Sequence, residues 1–311
     1  MKYLFGPVNS RRLGLSLGID LVPSKTCSLN CLYCECGCTT LLTDRIDEYV
    51  PTADVLRELE DFLSPGPKLD VVTFSGSGEP TLHSGIGAVI SFLRDRFPQY
   101  RIAVLTNGTM LWKEEVRKAL MRADMVVPSL DAVSEEVFAR MLRPAPGITA
   151  ERTVHGILRF SREYRGSLVI EVFILPGVND SPAELEKIRR VCLEAGPQSV
   201  QLNRLDRPGA EDWVESAGDE RMAEIRALFR PLNVSVVGGP PEDASRTFTA
   251  RDIDDLVIAT VSRRPSTLED LVSALGISRG EILRTLERLA VEGRLSAVDM
   301  DRGRFYRLKQ E

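Results

Sequence analysis

"CSLNCLYCECGC", residues 27–38, holds five of the chain's six cysteines. Cys27, Cys31 and Cys34 give the spacing C-x3-C-x2-C, directly after the apolar run "LSLGIDLVP" (15–23). Three thiolates in one tight loop hold three irons of a four-iron cubane and leave the fourth iron open to another ligand. A structural zinc would close four positions, usually with two separated Cys-x2-Cys pairs, and no second pair lies downstream. A disulfide framework is not expected. The first residues, "MKYLFGPVNSRRLG", lack the apolar run of a signal peptide, and no stretch of about twenty uncharged apolar residues occurs. A reducing, cytoplasmic setting without membrane attachment follows, where clustered cysteines serve metals or redox chemistry.

Working outward from that loop, short runs rich in Val, Ile and Leu recur: "LSLGIDLVP" (15–23), "LDVVTFSG" (69–76), "YRIAVLTNG" (100–108), "DMVVPSLD" (124–131), "SLVIEVFILPG" (167–177), "SVQLNRL" (199–205) and "NVSVVGG" (233–239). Most end in Gly, Pro, Asn or Asp, as buried parallel strands do. Amphipathic segments such as 52–64, 181–196 and 219–230 separate them, with Ser, Thr or Asp near their starts. Alternating strands and helices predict parallel βα units, hence an α/β fold of the barrel or partial-barrel kind, with its chemistry where strands end and loops begin.

The pattern changes near residue 238. Pro, Gly and polar residues dominate "GGPPEDASRTFTARD" (238–252), which reads as a linker. Beyond it come three helical segments, "DDLVIATVSR", "TLEDLVSALG" and "RGEILRTLERLAVEG", and then two short strands around the turn "DRG". That is the element order of a winged helix-turn-helix. The predicted division is therefore 1–238, linker 239–251 and 252–311. No solenoid-type repeat or low-complexity tract interrupts it.

The cysteine loop and its surroundings resemble the radical S-adenosylmethionine (radical SAM) enzymes over roughly the first 240 residues. This implies a partial (βα)6 TIM-like barrel carrying a [4Fe-4S] cluster and S-adenosylmethionine. Tyr33, before the third cysteine, matches the aromatic that lies near the adenine in that family. "SGSGEPTL" resembles the family's Gly-Gly-Glu stretch, whose backbone meets the methionyl amino group, with Gly76, Ser77, Gly78 and Glu79 in the corresponding places. Ser77 stands where the first glycine is usual. Polar residues at later strand ends, Thr106, Asn107, Ser129, Asp131 and Asn179, match cofactor contacts to ribose and carboxylate. "FGPVNSRRLGLSLGIDLVPSKTC", "YCECG" and "VQLNRLDRPGAED" resemble a subgroup of uncharacterised iron–sulfur oxidoreductases, distantly related to wybutosine-pathway enzymes that remodel a guanosine base in transfer RNA.

By that resemblance the protein cleaves S-adenosylmethionine reductively, and the 5'-deoxyadenosyl radical takes hydrogen from a substrate, with a flavodoxin- or ferredoxin-type protein donating the electron. Arg11, Arg12, Gln201, Asn203 and Arg207 are candidate substrate contacts, because guanidinium groups grip phosphate or carboxylate bidentately. The alternative for these arginines is surface ion pairing. Cys36 and Cys38 are either spare thiols or have a redox or auxiliary role; Cys192 reads as a core residue, and His83 and His155 as structural. In the C-terminal segment Arg279, Arg284, Arg288, Arg302, Arg304 and Arg307 fall on the third helix and hairpin, as in a nucleic-acid reader. Residues 252–311 nevertheless hold 10 Lys+Arg against 11 Asp+Glu, and the whole chain carries a net charge of −5. A generally basic surface is thus excluded. A transfer RNA base is the leading substrate expectation. The alternatives are a peptide or protein docked by the C-terminal segment, or a cofactor- or redox-sensing regulator.

Overall fold

The structure, a computed structural model, describes residues 1–10, 12–237 and 250–309. Arg11 and residues 239–249 of the expected linker lie outside the described residues. The chain opens with β1 (Leu4–Ser10) and β2 (Gly14–Ile19), followed by two-residue strands β3 (Thr26–Cys27) and β4 (Leu41–Leu42) that pair beside the cysteine loop. A βα series follows: α1 (Thr52–Leu63), β5 (Val71–Phe74), a 3-10 turn at Pro80–Leu82, α2 (Ile86–Arg96), β6 (Arg101–Thr106), α3 (Glu114–Leu120) and β7 (Met125–Pro128). It continues through α4 (Glu135–Leu142), α5 (Ala150–Glu163), β8 (Ser167–Ile174), α6 (Pro182–Ala195), β9 (Ser199–Arg204), α7 (Asp219–Leu228) and β10 (Val234–Val236).

These strands form one eight-stranded sheet in the order β1-β2-β5-β6-β7-β8-β9-β10. Only the β1–β2 pair is antiparallel; β2 onward, neighbours run parallel. The seven apolar runs of the sequence are the seven parallel strands. β5 and most of β8 are buried continuously instead of alternating, as strands covered on both faces are. Helix starts follow local chemistry. Thr149 accepts from Arg152 N at the head of α5, and Ser181, with Pro182 at the first helical position, accepts from Glu184 N in α6. Strand ends and succeeding loops therefore gather on one edge of the sheet, where the cysteine loop also lies.

Three helices, α8 (Ala250–Val261), α9 (Leu268–Leu275) and α10 (Arg279–Val291), and strands β11 (Ser266–Thr267), β12 (Leu295–Met300) and β13 (Gly303–Leu308) make the C-terminal unit. Its three-stranded antiparallel sheet runs β11-β13-β12, and its apolar centre includes Val257, Leu271, Ile282, Leu286 and Leu289. The unit docks on β1 through α9, where Asn9 Nδ2 donates to the Ser273 carbonyl at 2.8 Å. Its main tie is ionic. Arg207, 3% exposed, donates to Asp270 at 2.7 Å and to the Pro265 carbonyl at 2.7 Å; its Nε lies 3.5 Å from Glu35. Asp270 also accepts from Arg302, at 3.0 and 2.7 Å, and from Thr267 N in the capping box of α9. No helix among the described residues is long and apolar enough to cross a membrane.

Removing one partner of a buried ion pair strands the others without compensation. Asp270→Ala should therefore cost about 3–5 kcal/mol of docking stability. Calorimetry of the full chain should show the C-terminal unit melting earlier and separately; one unshifted transition would contradict the latch.

Candidate metal centre

The cysteine loop is positioned from both sides. Leu29 and Leu32, between the cysteines, are 3% and 2% exposed and pack in a second apolar cluster with Phe138, Met141 and Leu142 of α4 and Phe173 of β8. Backbone bonds repeat the tie: Asn30 N donates to Leu142 O and Leu32 N to Met141 O. Against its other side lies the loop after β5. Lys25 N donates to Ser77 O at 3.1 Å and Glu79 N to Thr26 O at 3.0 Å. Gly78 is required there, because a Cβ would stand 2.1 Å from the Thr26 carbonyl oxygen.

Glu79 joins this loop to the end of β6. Its fully buried carboxylate accepts from Thr81 N at 3.0 Å, Thr81 Oγ1 at 2.5 Å, Thr106 Oγ1 at 2.7 Å and Asn107 N at 2.7 Å. Burial raises its pKa in spite of these donors. Asn107 Nδ2 then donates to Ser28 Oγ at 2.8 Å and lies 3.5 Å from Cys27 Sγ. Its Oδ1 accepts from Thr109, whose hydroxyl is also bonded to Ser28.

A second network fixes Tyr33. Its ring stacks on Phe173 at 3.9 Å, and its hydroxyl donates to Asp131. Asp131 also accepts from Phe173 N at 2.7 Å. Asn179, fully buried, donates to the carbonyls of Asp131 and Phe173 and accepts from Leu175 N. Ser129 extends β7 with a backbone bond to Thr106 O and a bridge to Glu171. The residues expected at the cofactor thus converge on the cysteine loop, and many spend side-chain bonds in shaping it. Ser77 Oγ bonds Asp20 at 3.3 Å, and the Gly76 carbonyl lies 3.9 Å from Cys36 Sγ.

The three thiols differ in environment. Burial pushes Cys27 up to about 12 and Cys31 well above the ordinary thiol value, each raised further by its neighbours. Hydrogen bonding from Cys36 and the nearby Lys25 ammonium, 3.1 Å from the sulfur, bring Cys34 down to about 6. Bound iron deprotonates coordinating thiols, and N–H donors to sulfur tune the potential of iron–sulfur centres. Lys25 and Asn107 supply such donors. Among the described residues no three His, Cys, Asp or Glu side chains converge as ligands of one ion. Lys25, Ser28, Thr109 and Phe173 were not singled out in the sequence; only their adjacency to the cysteine triplet or to strand ends hinted at them.

The substrate candidates scatter. Arg12 pairs with Glu171 of β8 and lies 3.3 Å from Gln201 Oε1 of β9. Asn203 Oδ1 accepts from its neighbour Arg204 N. Arg207 is not a surface pair: it is buried against the C-terminal unit. Cys36 lies beside Cys34, Cys38 is exposed near the Ala210 carbonyl, and Cys192 is fully buried on α6. His83 is structural, bonded to Val50 O and Gly85 N.

The Radical SAM superfamily profile matches residues 21–190. A UPF0026 protein of Helicobacter pylori is 33% identical over 285 residues, covering 91% of each chain. A Brachyspira hyodysenteriae protein named GTPase Obg is 32% identical over 94% of this chain, which spans only 43% of that protein's length. Two solved structures share the fold. A radical SAM methyltransferase from Sphaerobacter thermophilus is 18% identical, with TM-score 0.52 over 71% of this chain and 66% of that one. TYW1 with a lysine-pyruvate adduct is 15% identical, with TM-score 0.50 over 72% and 75%. The chain belongs to the radical SAM superfamily, whose cofactors are a [4Fe-4S] cluster and S-adenosylmethionine.

Cys27→Ala, Cys31→Ala and Cys34→Ala should each abolish the absorbance of the reconstituted four-iron cluster. Iron should stay with Cys36→Ala and Cys38→Ala, and its loss from either would overturn this ligand set. A pH effect is expected at Asp131, whose pKa burial lifts to about 6 against the bonds from Phe173 N and Tyr33. Its folded pKa exceeds the ordinary 3.8, so its contribution to stability is full below 3.8 and is lost as pH rises through about 6. The melting temperature of Asp131→Asn relative to the native protein should therefore climb between about pH 4 and about pH 7. A constant difference would place the charge cost elsewhere.

Proposed function

We propose that the protein is a catalyst that removes a hydrogen atom from a substrate held where the parallel strands end, with Cys27, Cys31 and Cys34 as cluster ligands and a flavodoxin- or ferredoxin-type protein as electron donor. The bound cluster and S-adenosylmethionine supply the 5'-deoxyadenosyl radical for this step. The observation that carries the reading is the set of donors aimed at cysteine sulfur, Lys25 at Cys34 and Asn107 at Cys27. They offset negative charge on the thiolates. Leu29 and Leu32 keep water from the loop's inner side, which protects a radical from side reactions. Tyr33, held flat on Phe173, offers a fixed aromatic edge for the adenine, and the Ser77–Glu79 backbone offers polar groups for the methionyl end.

For the substrate, an RNA base remains our reading from the C-terminal unit, taken as a winged helix with α10 presented outward. Arg284, exposed on α10, and Arg307 on β13 support it. The other arginines contribute less. Arg279 pairs with Glu269, Arg288 with Asp254 and Glu292, Arg302 with Asp206 and Asp270, and Arg304 with Asp299.

Two measurements decide these readings. Anaerobic reconstitution with iron and sulfide, followed by dithionite, should release 5'-deoxyadenosine; a regulator that only senses the cofactor would bind it and release none. The full chain should retain total transfer RNA at low salt, and Arg284→Glu with Arg307→Glu should flatten the salt dependence by about one unit per lost phosphate contact. Failure to bind at low salt would remove RNA and favour a peptide docked by the same unit.

A further inference from the structure

The C-terminal unit has an outer face and a docked face. α10, with Arg284 exposed, packs within the unit on α8, α9 and β12, whereas α9 packs on β1. The docked face is strapped at three places. Arg263 lies 3.8 Å from Asp20, just after β2. Arg302 lies 3.1 Å from Asp206, and Asp270 lies 2.7 Å from Arg207, both just after β9. β2 and β9 stand near opposite edges of the eight-stranded sheet, so the unit reaches across the C-terminal ends of the strands between them. The hairpin extends this contact to the cysteine loop. Met300 packs against the apolar cluster that holds Leu29 and Leu32, and Arg207 also lies 3.5 Å from Glu35, between Cys34 and Cys36.

What remains beneath the unit is a cavity of about 430 Å³. Val8, Thr73 and Leu105 wall it from the sheet and Leu256 and Leu275 from the unit, with Cys36 and Gly76 also lining it. A space of that size takes one small guest and no polynucleotide. An RNA held on the outer face has the unit itself between it and the strand ends. As docked, the unit therefore blocks the substrate that its outer face would bring. The seam is also imperfectly matched. Arg263 Nε and Asp20 Oδ1 are buried there without hydrogen-bond partners, and water would satisfy both once the unit lifts.

We propose that the C-terminal unit is a lid over the strand ends, shut in this structure, and that an RNA substrate opens it. The second half rests on the RNA reading above; the lid does not. Shut, the unit keeps water from the strand ends, as radical chemistry requires. Only the open protein lets a base make its contacts at the strand ends, and that difference in contacts is what allows RNA to shift the equilibrium.

Cys36 reports the state of the lid, because a maleimide carrying a long polyethylene glycol chain does not fit the shut cavity. The test uses the reconstituted full chain in a Cys38→Ala background, where iron occupies the cysteine triplet and Cys192 is fully buried. Arg302→Ala removes the contacts to Asp206 and Asp270 and should label at Cys36 about tenfold faster than the same protein with Arg302 in place. Because the open state alone takes the base, Arg302→Ala should also bind total transfer RNA more tightly at low salt. Loss of a cation by itself would weaken that binding, so the sign separates the two effects. An unchanged labelling rate overturns the lid, as does faster labelling that appears only with loss of the helical circular dichroism signal. Faster labelling with equal or weaker transfer RNA binding overturns RNA as the opening ligand. If neither protein retains transfer RNA, the RNA reading fails, and faster labelling of Arg302→Ala still establishes the lid.

Discussion

A carboxylate buried under the strand ends, that of Glu79, has to be satisfied before the cysteine loop can stand where it does. Taking such a group out of water is expensive unless several donors replace the lost hydration. The donors come from three places: the 3-10 turn through Thr81, the end of β6 through Thr106, and the following loop through Asn107 N. Meeting that requirement fixes the backbone of residues 106–107, and Asn107 then has its side chain beside Cys27 and Ser28. Glu79's own backbone N–H donates to the carbonyl of Thr26, the position before the first cysteine. One acid therefore sets the geometry of the loop from below and from the side.

The parallel sheet was legible because its strands are buried on both faces, which leaves continuous Val, Ile and Leu runs that need no partner information to recognise. β1 was not. Its sequence, "LFGPVNS", is only partly buried after Leu4, contains Pro7 and Asn9, and its pairing with β2 is irregular between Phe5 and Val8. An edge strand with one interrupted ladder has neither the burial nor the alternation that marks a strand in sequence. β11 escaped notice because two residues carry no period. The cysteine triplet was visible for the opposite reason: ligand chemistry dictates both residue type and spacing. The strand-end polar residues lay between these cases. Their placement followed from the βα pattern, but their bonds to one another, such as Asn179 to the carbonyls of Asp131 and Phe173, join positions tens of residues apart.

Charge was the least legible property. Nearly equal numbers of acids and bases in the last sixty residues say nothing of which meet. In the structure Asp270 gathers Arg207 from the sheet and Arg302 from the hairpin while capping α9. Burial raises the pKa of this carboxyl, yet Arg207, the Thr267 backbone and Arg302 outweigh it and hold it below the ordinary value. An arginine singled out in the sequence thereby also ties the two units together, through a counter-ion that arrives from 63 residues away.

Two buried acids, Glu79 and Asp270, divide the work. The first anchors the loop that carries the cysteine triplet; the second anchors the unit that faces this loop. A cavity lined by Phe5 and Thr73 on one side and Leu256 and Leu275 on the other lies between the two anchored bodies, so its shape is set by both and by neither alone. Along this boundary Arg263 Nε lies 3.8 Å from the Asp20 carboxylate, too far for a hydrogen bond, and Asp20 Oδ1 has no hydrogen-bond partner either, so the two charges meet across the seam as an ion pair alone.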